Sequence, residues 1–121
     1  MISGDDMEAM GMSYYEPYTA KDYSAWVEDK ILTTGDARLV ENVLGLVGEA
    51  GEVAEKVKKM IRDDTDILGK EIAKELGDVV FYATALANFF GESLQSVLDI
   101  NVEKLDSREK RGTLRGSGDA R

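Results

Sequence analysis

Apolar residues recur along the middle of the chain at the spacing of an α-helix. Between about residues 37 and 61 they fall at i, i+3 and i+4 positions, the period of a helix with one buried face. The members of this stripe are Val43, Leu46, Val47, Ala50, Val53, Ala54, Val57 and Ile61. The pattern predicts a long amphipathic helix, which the polar run RDDTD at residues 62–66 should end.

The next predicted helix, from about residue 67 to residue 90, changes character halfway along. Its first half is charged, whereas its second half reads VVFYATALANFF and carries no charge. A helix that is apolar on all sides is typically buried. Because a domain of this size buries only a limited core, we expect a second copy of the chain to complete the burial of this segment.

Two shorter helices complete the prediction. The first should follow Thr19, which resembles the N-cap of a capping box with Asp22, and Asp36 is expected to cap the long helix. The last should follow Gly91, with Ser93 as its cap. No segment shows the alternation of a β-strand, so the predicted fold class is all-α, a subunit of the four-helix-bundle type completed by oligomerisation.

The two ends of the chain differ in composition from the helical domain predicted at residues 18–106. Residues 1–17 form a polar, acidic and Met-rich leader that we expect to be flexible. Residues 107–121 read SREKRGTLRGSGDAR, which is basic and rich in glycine. Two interpretations of this tail remain open: a disordered end, or an arm that becomes ordered on a phosphate.

Composition narrows the chemistry further. The chain has no cysteine and no histidine, which excludes disulfides, thiolate metal sites and Ser/His/Asp triads. Its net charge of −9 argues against a nucleic-acid polymer or an anionic membrane as partner. The sequence has no run of about 18 apolar residues and no basic segment of a signal peptide, so we expect a cytoplasmic location.

Carboxylates are the side chains that remain to hold a metal. Glu49 and Glu52 are three residues apart on the long helix, and Glu75 and Asp78 are three residues apart on the next. Each pair therefore lies on one edge of its helix, and antiparallel packing would bring the four acids together. Without a partner these charges would repel one another beside the core, whereas a hard divalent cation with oxygen ligands would remove the repulsion.

Three glycines lie among these acids, in the segment GLVGEAGE. Each costs a helix roughly 1 kcal/mol relative to alanine. We interpret Gly45, Gly48 and Gly51 as positions where a neighbouring backbone or a ligand comes close to the helix. The alternative is a solvated face on which glutamates pair with nearby lysines, as in a non-catalytic acidic helical protein that binds a partner. The lysines concerned are Lys56, Lys58, Lys59 and Lys74.

The order of these motifs resembles that of the MazG-like all-α nucleoside triphosphate pyrophosphohydrolases. EAGE at residues 49–52 is followed after 22 residues by ELGD at residues 75–78, as in the family's E-x-x-E…E-x-x-D signature. The resemblance extends to LGLVGEAGEVAEKVKK and KELGDVVFY, and NVEKLDSR is similar to the family's N-x-x-K-L-x-x-R segment. The closing KRGTLRGSGDAR is similar to the tails of short, single-domain, phage-type members.

The resemblance implies an activity. Members cleave a (deoxy)nucleoside triphosphate between the α and β phosphates to give the monophosphate and pyrophosphate. They use Mg²⁺ or Mn²⁺, and their sites are built between the subunits of homo-oligomers, either dimers or tetramers. The location implied is the cytoplasm of a bacterium or of a phage-infected host.

The resemblance also implies site residues, carried over by position. Glu49, Glu52, Glu75 and Asp78 would bind the metal, and Glu52 together with Glu49 would act in catalysis by positioning water. The residues expected to bind substrate are Tyr82, Asn101, Lys104, Arg108, Lys110, Arg111 and Trp26. For Trp26 two interpretations remain open, stacking on the base and packing in the core or in an interface.

The base and the sugar of the substrate are not determined by these motifs. Phage-type relatives act in the control of deoxynucleotide pools, so the resemblance favours a purine dNTP such as dGTP. The same fold and metal chemistry would serve a dUTP or dCTP pyrophosphatase, or a phosphoribosyl-ATP pyrophosphatase.

Overall fold

The computed structural model describes residues 19–112, which form four α-helices. Helix α1 spans Ala20–Lys30, α2 spans Gly35–Asp63, α3 spans Gly69–Phe89 and α4 spans Leu94–Lys110. This range contains no strand, and the predicted all-α fold class is confirmed. None of the helices in it is both long and apolar enough to cross a membrane. The predictions for the leader and for the tail after residue 112 lie outside the described residues.

Local sequence explains where α1 and α4 begin. The Asp22 backbone N–H donates to the Thr19 hydroxyl at 3.1 Å, and the Thr19 N–H donates to the Asp22 carboxylate at 3.2 Å. Ser93 caps α4 in the same reciprocal way with Ser96. Both predicted caps are confirmed, and each satisfies backbone donors that a helix start leaves unpaired.

The start of α2 and the end of α4 differ from the prediction. The cap expected at Asp36 is wrong, because Thr34 is the N-cap and Asp36 lies inside the first turn. Gly35 has a φ of 59°, in the left-handed region that favours glycine, and this conformation lets the helix begin directly after Thr34. Helix α4 continues to Lys110, into the segment that the sequence assigns to the tail. The positive charges of Arg108 and Lys110 in its last turn interact favourably with the helix dipole.

The hairpin of α2 and α3 forms the centre of the fold. Asp64 ends α2 in the left-handed region at a φ of 51°, and a short connection leads into α3. Gly45 of α2 faces Tyr82 of α3, and Lys56, further along α2, faces Glu75, which is earlier on α3. The two helices are therefore antiparallel, as the carboxylate prediction requires.

A polar network joins α1 to this hairpin. Two nitrogens of Arg38, near the start of α2, donate to the two carboxylate oxygens of Glu28 on α1, both at 2.7 Å. Asn88 of α3 donates to the same carboxylate at 3.3 Å and to the Ser24 carbonyl at 3.0 Å. Arg38 also donates to the Ala85 carbonyl of α3 at 3.4 Å. Because bidentate charged hydrogen bonds are strong and directional, this network fixes α1 on the hairpin.

The hydrophobic core of one chain is small. Among the described residues, Val27 and Ala85 are the fully buried hydrophobic side chains. The segment VVFYATALANFF is mostly half-buried, and Val80 and Phe90 are exposed. Within residues 19–112, α1, α2 and α4 leave part of α3 uncovered. The expectation that a second copy completes the burial of this segment stays a prediction.

The apolar stripe predicted for α2 is divided between two faces. The edge that carries Asn42, Gly45 and Glu49 faces α3, whereas Val47 and Ile61 are 65% and 71% exposed. The stripe is wider than the surface that one neighbouring helix can cover. The exposed large apolar residues of α2 are Val40, Val43, Leu44, Val47, Val57 and Ile61. Apolar patches of this kind are typical of protein interfaces.

Replacing Glu28 by glutamine should weaken the attachment of α1. The hydrogen bonds from Arg38 lower the pKa of Glu28, so the folded state favours its ionised form. This stabilisation is present above the ordinary pKa of about 4.5 and is lost as the pH falls through the lowered pKa. Glu28→Gln should therefore reduce the free energy of unfolding at neutral pH by about 1 kcal/mol or less, since solvent screens the half-exposed carboxylate.

Denaturant unfolding at neutral pH and near pH 3 measures this effect. The difference between Glu28→Gln and the wild type should shrink at the lower pH. Glu41→Gln, at an exposed position of α2, is the matched control and should change little at either pH. A Glu28→Gln effect of the same size at both pH values would contradict the assignment.

Candidate metal centre

The seam between α2 and α3 brings three carboxylates together. One oxygen each from Glu49 on α2 and from Glu75 and Asp78 on α3 lie within 4.8 Å of one another. Glu49 and Glu75 are half-buried, and Asp78 is exposed. We call these three residues the carboxylate cluster, and they are three of the four acids that the sequence predicts as metal ligands.

Glu52, the fourth predicted ligand, lies beside the carboxylate cluster. It follows Glu49 by three residues on the same edge of α2 and is exposed. The carboxylate oxygens of Glu52 do not belong to the set that lies within 4.8 Å of one another, but its negative charge contributes to the raised pKa of Glu49. Its role as a metal ligand stays a prediction.

The carboxylate cluster carries negative charge that the chain compensates only in part. The pKa of Glu49 is raised, first by loss of hydration in the seam and then by the charges of Asp78, Glu75 and Glu52. The ammonium of Lys56 lies 3.7 Å from an oxygen of Glu75. Lys56 thus places one positive charge beside these acids.

The donor set fits a hard divalent cation. All the ligand atoms are carboxylate oxygens, which Mg²⁺ and Mn²⁺ prefer to nitrogen or sulfur. Oxygens that share an octahedral Mg²⁺ at about 2.1 Å lie roughly 3 to 4 Å apart. Carboxylates whose oxygens are within 4.8 Å reach that spacing through small side-chain rotations. Glu49, Glu75 and Asp78 would hold the cation.

Gly45 sets how closely α2 and α3 approach next to the carboxylate cluster. A Cβ at this position would overlap with the ring of Tyr82, which therefore lies against the bare backbone of α2. Gly45 thus has a close neighbour, but this neighbour is a side chain and not the backbone or ligand expected from the sequence. Among the described residues, no neighbour lies within 4 Å of a Cβ placed at Gly48 or Gly51, so a close approach at these two glycines stays a prediction. Tyr82 follows Asp78 by one turn of α3, at the end of the seam where the acids lie.

The predicted substrate-binding residues of α4 are not brought to the carboxylate cluster by a described contact. Helix α4 packs against α1 and α3 but not against α2. Along it, Asn101 is exposed, Lys104 is half-buried and Arg108 is only 3% exposed. Lys110 is the last residue of the helix and Arg111 is its C-cap. Contact of these residues with a phosphate stays a prediction.

Trp26 belongs to an aromatic group between α1 and α3. Its ring stacks on Tyr23 at a centroid distance of 5.7 Å and meets Phe81 edge-on at 6.1 Å. The ammonium of Lys30 lies 5.3 Å from the ring centroid. These contacts favour the interpretation of Trp26 as a packing residue, and stacking on a base stays a prediction.

Sequence reasoning missed two polar residues on the seam. Asn42 is 1% exposed, and neither polar atom of its amide has a hydrogen-bond partner among residues 19–112. A buried amide without a partner is costly unless water or a ligand satisfies it. The sequence pattern assigns Lys56 to the lysines of a solvated face, whereas in the hairpin its ammonium pairs with the carboxylate of Glu75. No local pattern distinguishes either residue, although both fall on the helical edge of Glu49.

Comparison with known proteins gives the family. Residues 39–113 match the family model of the MazG nucleotide pyrophosphohydrolase domain, a span that contains all four predicted metal ligands. The chain therefore belongs to this family. It is 44% identical over 95 residues to the Gene 37 protein of Mycobacterium phage L5, an alignment that covers 72% of this chain and 83% of that protein. No solved structure gives a significant match.

Family membership confirms the resemblance drawn from the motifs. It supports a nucleotide pyrophosphohydrolase activity for this chain. Enzymes of the family act on nucleoside triphosphates and generally depend on a divalent metal, in agreement with the carboxylate cluster. The phage relative fits a short, phage-type member.

Replacing Glu49 by glutamine should separate charge repulsion from metal binding. Because the pKa of Glu49 is raised in the folded state, stability falls as the pH rises from about 4.5 through the raised value. Without metal at neutral pH, Glu49→Gln should therefore raise the melting temperature slightly. With Mn²⁺, the wild type should gain melting temperature and the variant should gain much less.

Thermal unfolding in EDTA and in Mn²⁺ measures both effects. Glu103→Gln, at an exposed position of α4, is the control and should behave as the wild type does in each condition. Equal gains from Mn²⁺ in the wild type and in Glu49→Gln would show that the ion binds elsewhere.

Proposed function

We propose that this protein hydrolyses a (deoxy)nucleoside triphosphate between the α and β phosphates, releasing the (d)NMP and pyrophosphate, with Mg²⁺ or Mn²⁺ as cofactor. The observation that supports the proposal is the convergence of Glu49, Glu75 and Asp78 within 4.8 Å, in a chain of the MazG family. Three like charges at a packed seam are unfavourable in a protein that binds no cation there.

The acids would divide the work between binding and proton transfer. Glu49, Glu75 and Asp78 would hold the metal, which when bound would neutralise phosphate charge and make the attacked phosphorus more electrophilic. Glu52 is exposed and lies outside the tight group, so its carboxylate is available to orient a water and accept its proton. Glu49, three residues before Glu52 on α2, would take part both in metal binding and in positioning the water. This chemistry requires neither histidine nor cysteine.

We propose that Asn101, Lys104 and Arg108 bind the phosphates or the sugar of the substrate. They share one edge of α4, at spacings of three and four residues. Helix α4 packs against α3, which carries Glu75 and Asp78, but not against α2, which carries Glu49. We propose that a second copy of the chain brings this edge of α4 to the cluster. Lys110 and Arg111 would extend the basic surface toward the tail. Tyr82 and Trp26 would line the nucleotide on the side of α3.

A homo-oligomer, a dimer or a tetramer, would supply that second copy. The apolar residues exposed on α2 are matched by a second set on α4, and a surface this apolar is unfavourable in water. The exposed large apolar residues of α4 are Val97, Leu98, Ile100, Val102 and Leu105. The same surface is the observation that favours the other candidate, a non-catalytic helical protein that binds a different partner.

Asp78→Asn and Glu52→Gln should both abolish turnover, for different reasons. Asp78→Asn removes a ligand of the tight group and should weaken Mn²⁺ binding strongly, whereas Glu52→Gln, at the outer carboxylate, should weaken it less. In each case metal-dependent pyrophosphate release should fall by about 100-fold or more, with unchanged helix content. Pyrophosphate assays, calorimetric Mn²⁺ titration and circular dichroism measure the three quantities.

The control for these variants is Asp29→Asn, at an exposed position of α1, which should retain wild-type turnover. Turnover that survives both Asp78→Asn and Glu52→Gln would refute the assignment of the site.

A screen of the common ribo- and deoxyribonucleoside triphosphates should identify the substrate. We expect a purine dNTP, dGTP, to give the highest kcat/KM, in line with a role in nucleotide-pool control in a bacterial or phage-infected cytoplasm. The products should be the monophosphate and pyrophosphate, resolved by chromatography.

Other outcomes of the screen are equally informative. A preference for dUTP, dCTP or phosphoribosyl-ATP would place the protein in another branch of the superfamily. Release of orthophosphate as the first product would contradict cleavage between the α and β phosphates. The absence of both hydrolysis and Mn²⁺ binding would favour the partner-binding protein.

A further inference from the structure

An ion pair brings Lys56 to the carboxylate cluster. Its ammonium nitrogen lies 3.7 Å from Oε1 of Glu75. Two lysines that follow it on α2, Lys58 and Lys59, pair with Glu55 instead, at 3.8 and 3.7 Å. Glu55 is not a member of the cluster. Three lysines in one turn thus have two different environments.

Helical spacing and the hairpin explain this position. Lys56 follows Glu52 by four residues and Glu49 by seven, so it lies on the same edge of α2, one and two turns further along. The antiparallel partner α3 presents Glu75 to this edge. The side chains of Lys56 and Glu75 are both partly buried, 38% and 22% exposed, so solvent only partly screens their charges.

The ion pair between Lys56 and Glu75 is loose. Its 3.7 Å separation is longer than the roughly 2.8 Å of a charge-assisted hydrogen bond. A half-exposed lysine pair of this kind contributes little to stability. The ammonium has three N–H donors on a flexible stem, so it can turn to a stronger acceptor a short distance away without disturbing the helix.

A triphosphate at the carboxylate cluster needs such a cation. The cluster and Glu52 together carry four carboxylates, and the phosphate chain would add several negative charges beside them. A divalent cation offsets only part of this charge. Lys56 is already at the site within the same chain, on the helix that carries Glu49 and Glu52.

We infer that Lys56 is a substrate-binding residue of this site, whose ammonium leaves Glu75 when metal binds and donates to a phosphate oxygen of the metal-bound triphosphate. This inference rests on the proposed function. Binding of metal neutralises Glu75, so the phosphate becomes the stronger acceptor for Lys56. Since the phosphate chain is common to all nucleoside triphosphates, Lys56 should increase affinity without selecting a base.

The variants that test this inference are Lys56→Met, which keeps the length of the stem, and Lys56→Arg, which keeps the charge. Lys59→Met is the matched control, because Lys59 forms an ion pair of the same length on the same helix but away from the cluster. The ligands are Mn²⁺ alone, α,β-methylene dGTP and α,β-methylene dUTP with Mn²⁺, and the monophosphates dGMP and dUMP. Calorimetry on the full chain measures each affinity.

Lys56→Met should bind Mn²⁺ at least as tightly as the wild type, because a competing cation has been removed. Its Kd for the tighter-binding triphosphate analogue should rise by about tenfold or more, while the Kd of the matching monophosphate should change little. Lys56→Arg should retain most of the affinity for the analogue, and Lys59→Met should match the wild type in every titration.

Three results would overturn the inference in distinguishable ways. Unchanged binding of the analogue by Lys56→Met, with tighter Mn²⁺ binding, would make Lys56 only an internal counter-ion. Equal losses for the analogue and the monophosphate, with a lower melting temperature, would make it a structural residue. If the wild type binds neither Mn²⁺ nor either analogue, the proposed function itself fails, and the role of Lys56 fails with it.

Discussion

Like charges held at the packed seam of two helices are the constraint on which this structure depends. Glu49, Glu75 and Asp78 are brought together by the same antiparallel contact that buries Asn42, so the packing of the two helices itself creates the repulsion. The raised pKa of Glu49 is the electrostatic consequence. A cation bound by the three carboxylates would remove the repulsion, and its binding free energy would then add to the stability of the hairpin. Metal binding and the folding of α2 on α3 would be coupled for this reason.

The separation of α2 and α3 is what lets the three oxygens meet. Gly45 allows the ring of Tyr82 to lie on the backbone of α2, one turn before Glu49 and one turn after Asp78. A side chain at this position would push the ring, and α3 with it, away from α2. The helical cost of this glycine is therefore offset by the geometry of the neighbouring carboxylates, which depends on small distances between the two helices.

Features set by local spacing could be predicted from the sequence, whereas those set by contacts between distant segments could not. The caps at Thr19 and Ser93 and the edge shared by Glu75 and Asp78 depend on residues three positions apart, which a helical pattern specifies. The bond between Arg38 and Glu28 and the approach of Lys56 to Glu75 depend on how separate helices pack. Periodicity likewise identified the apolar stripe of α2, but not which of its residues a neighbouring helix covers, because that depends on how separate helices pack.

The open surface of α2 connects the metal chemistry to assembly. Around the helix, Gly48 and Gly51 lie between the edge of Glu49 and Glu52 and the exposed apolar face that includes Val47, and neither glycine has a neighbour within 4 Å. This strip of bare backbone leaves room beside the acids for a ligand. A second copy that covers the apolar face would border the same strip and would bring charged residues of its own close to the carboxylates. Burial of apolar surface and completion of the site would then be consequences of a single contact.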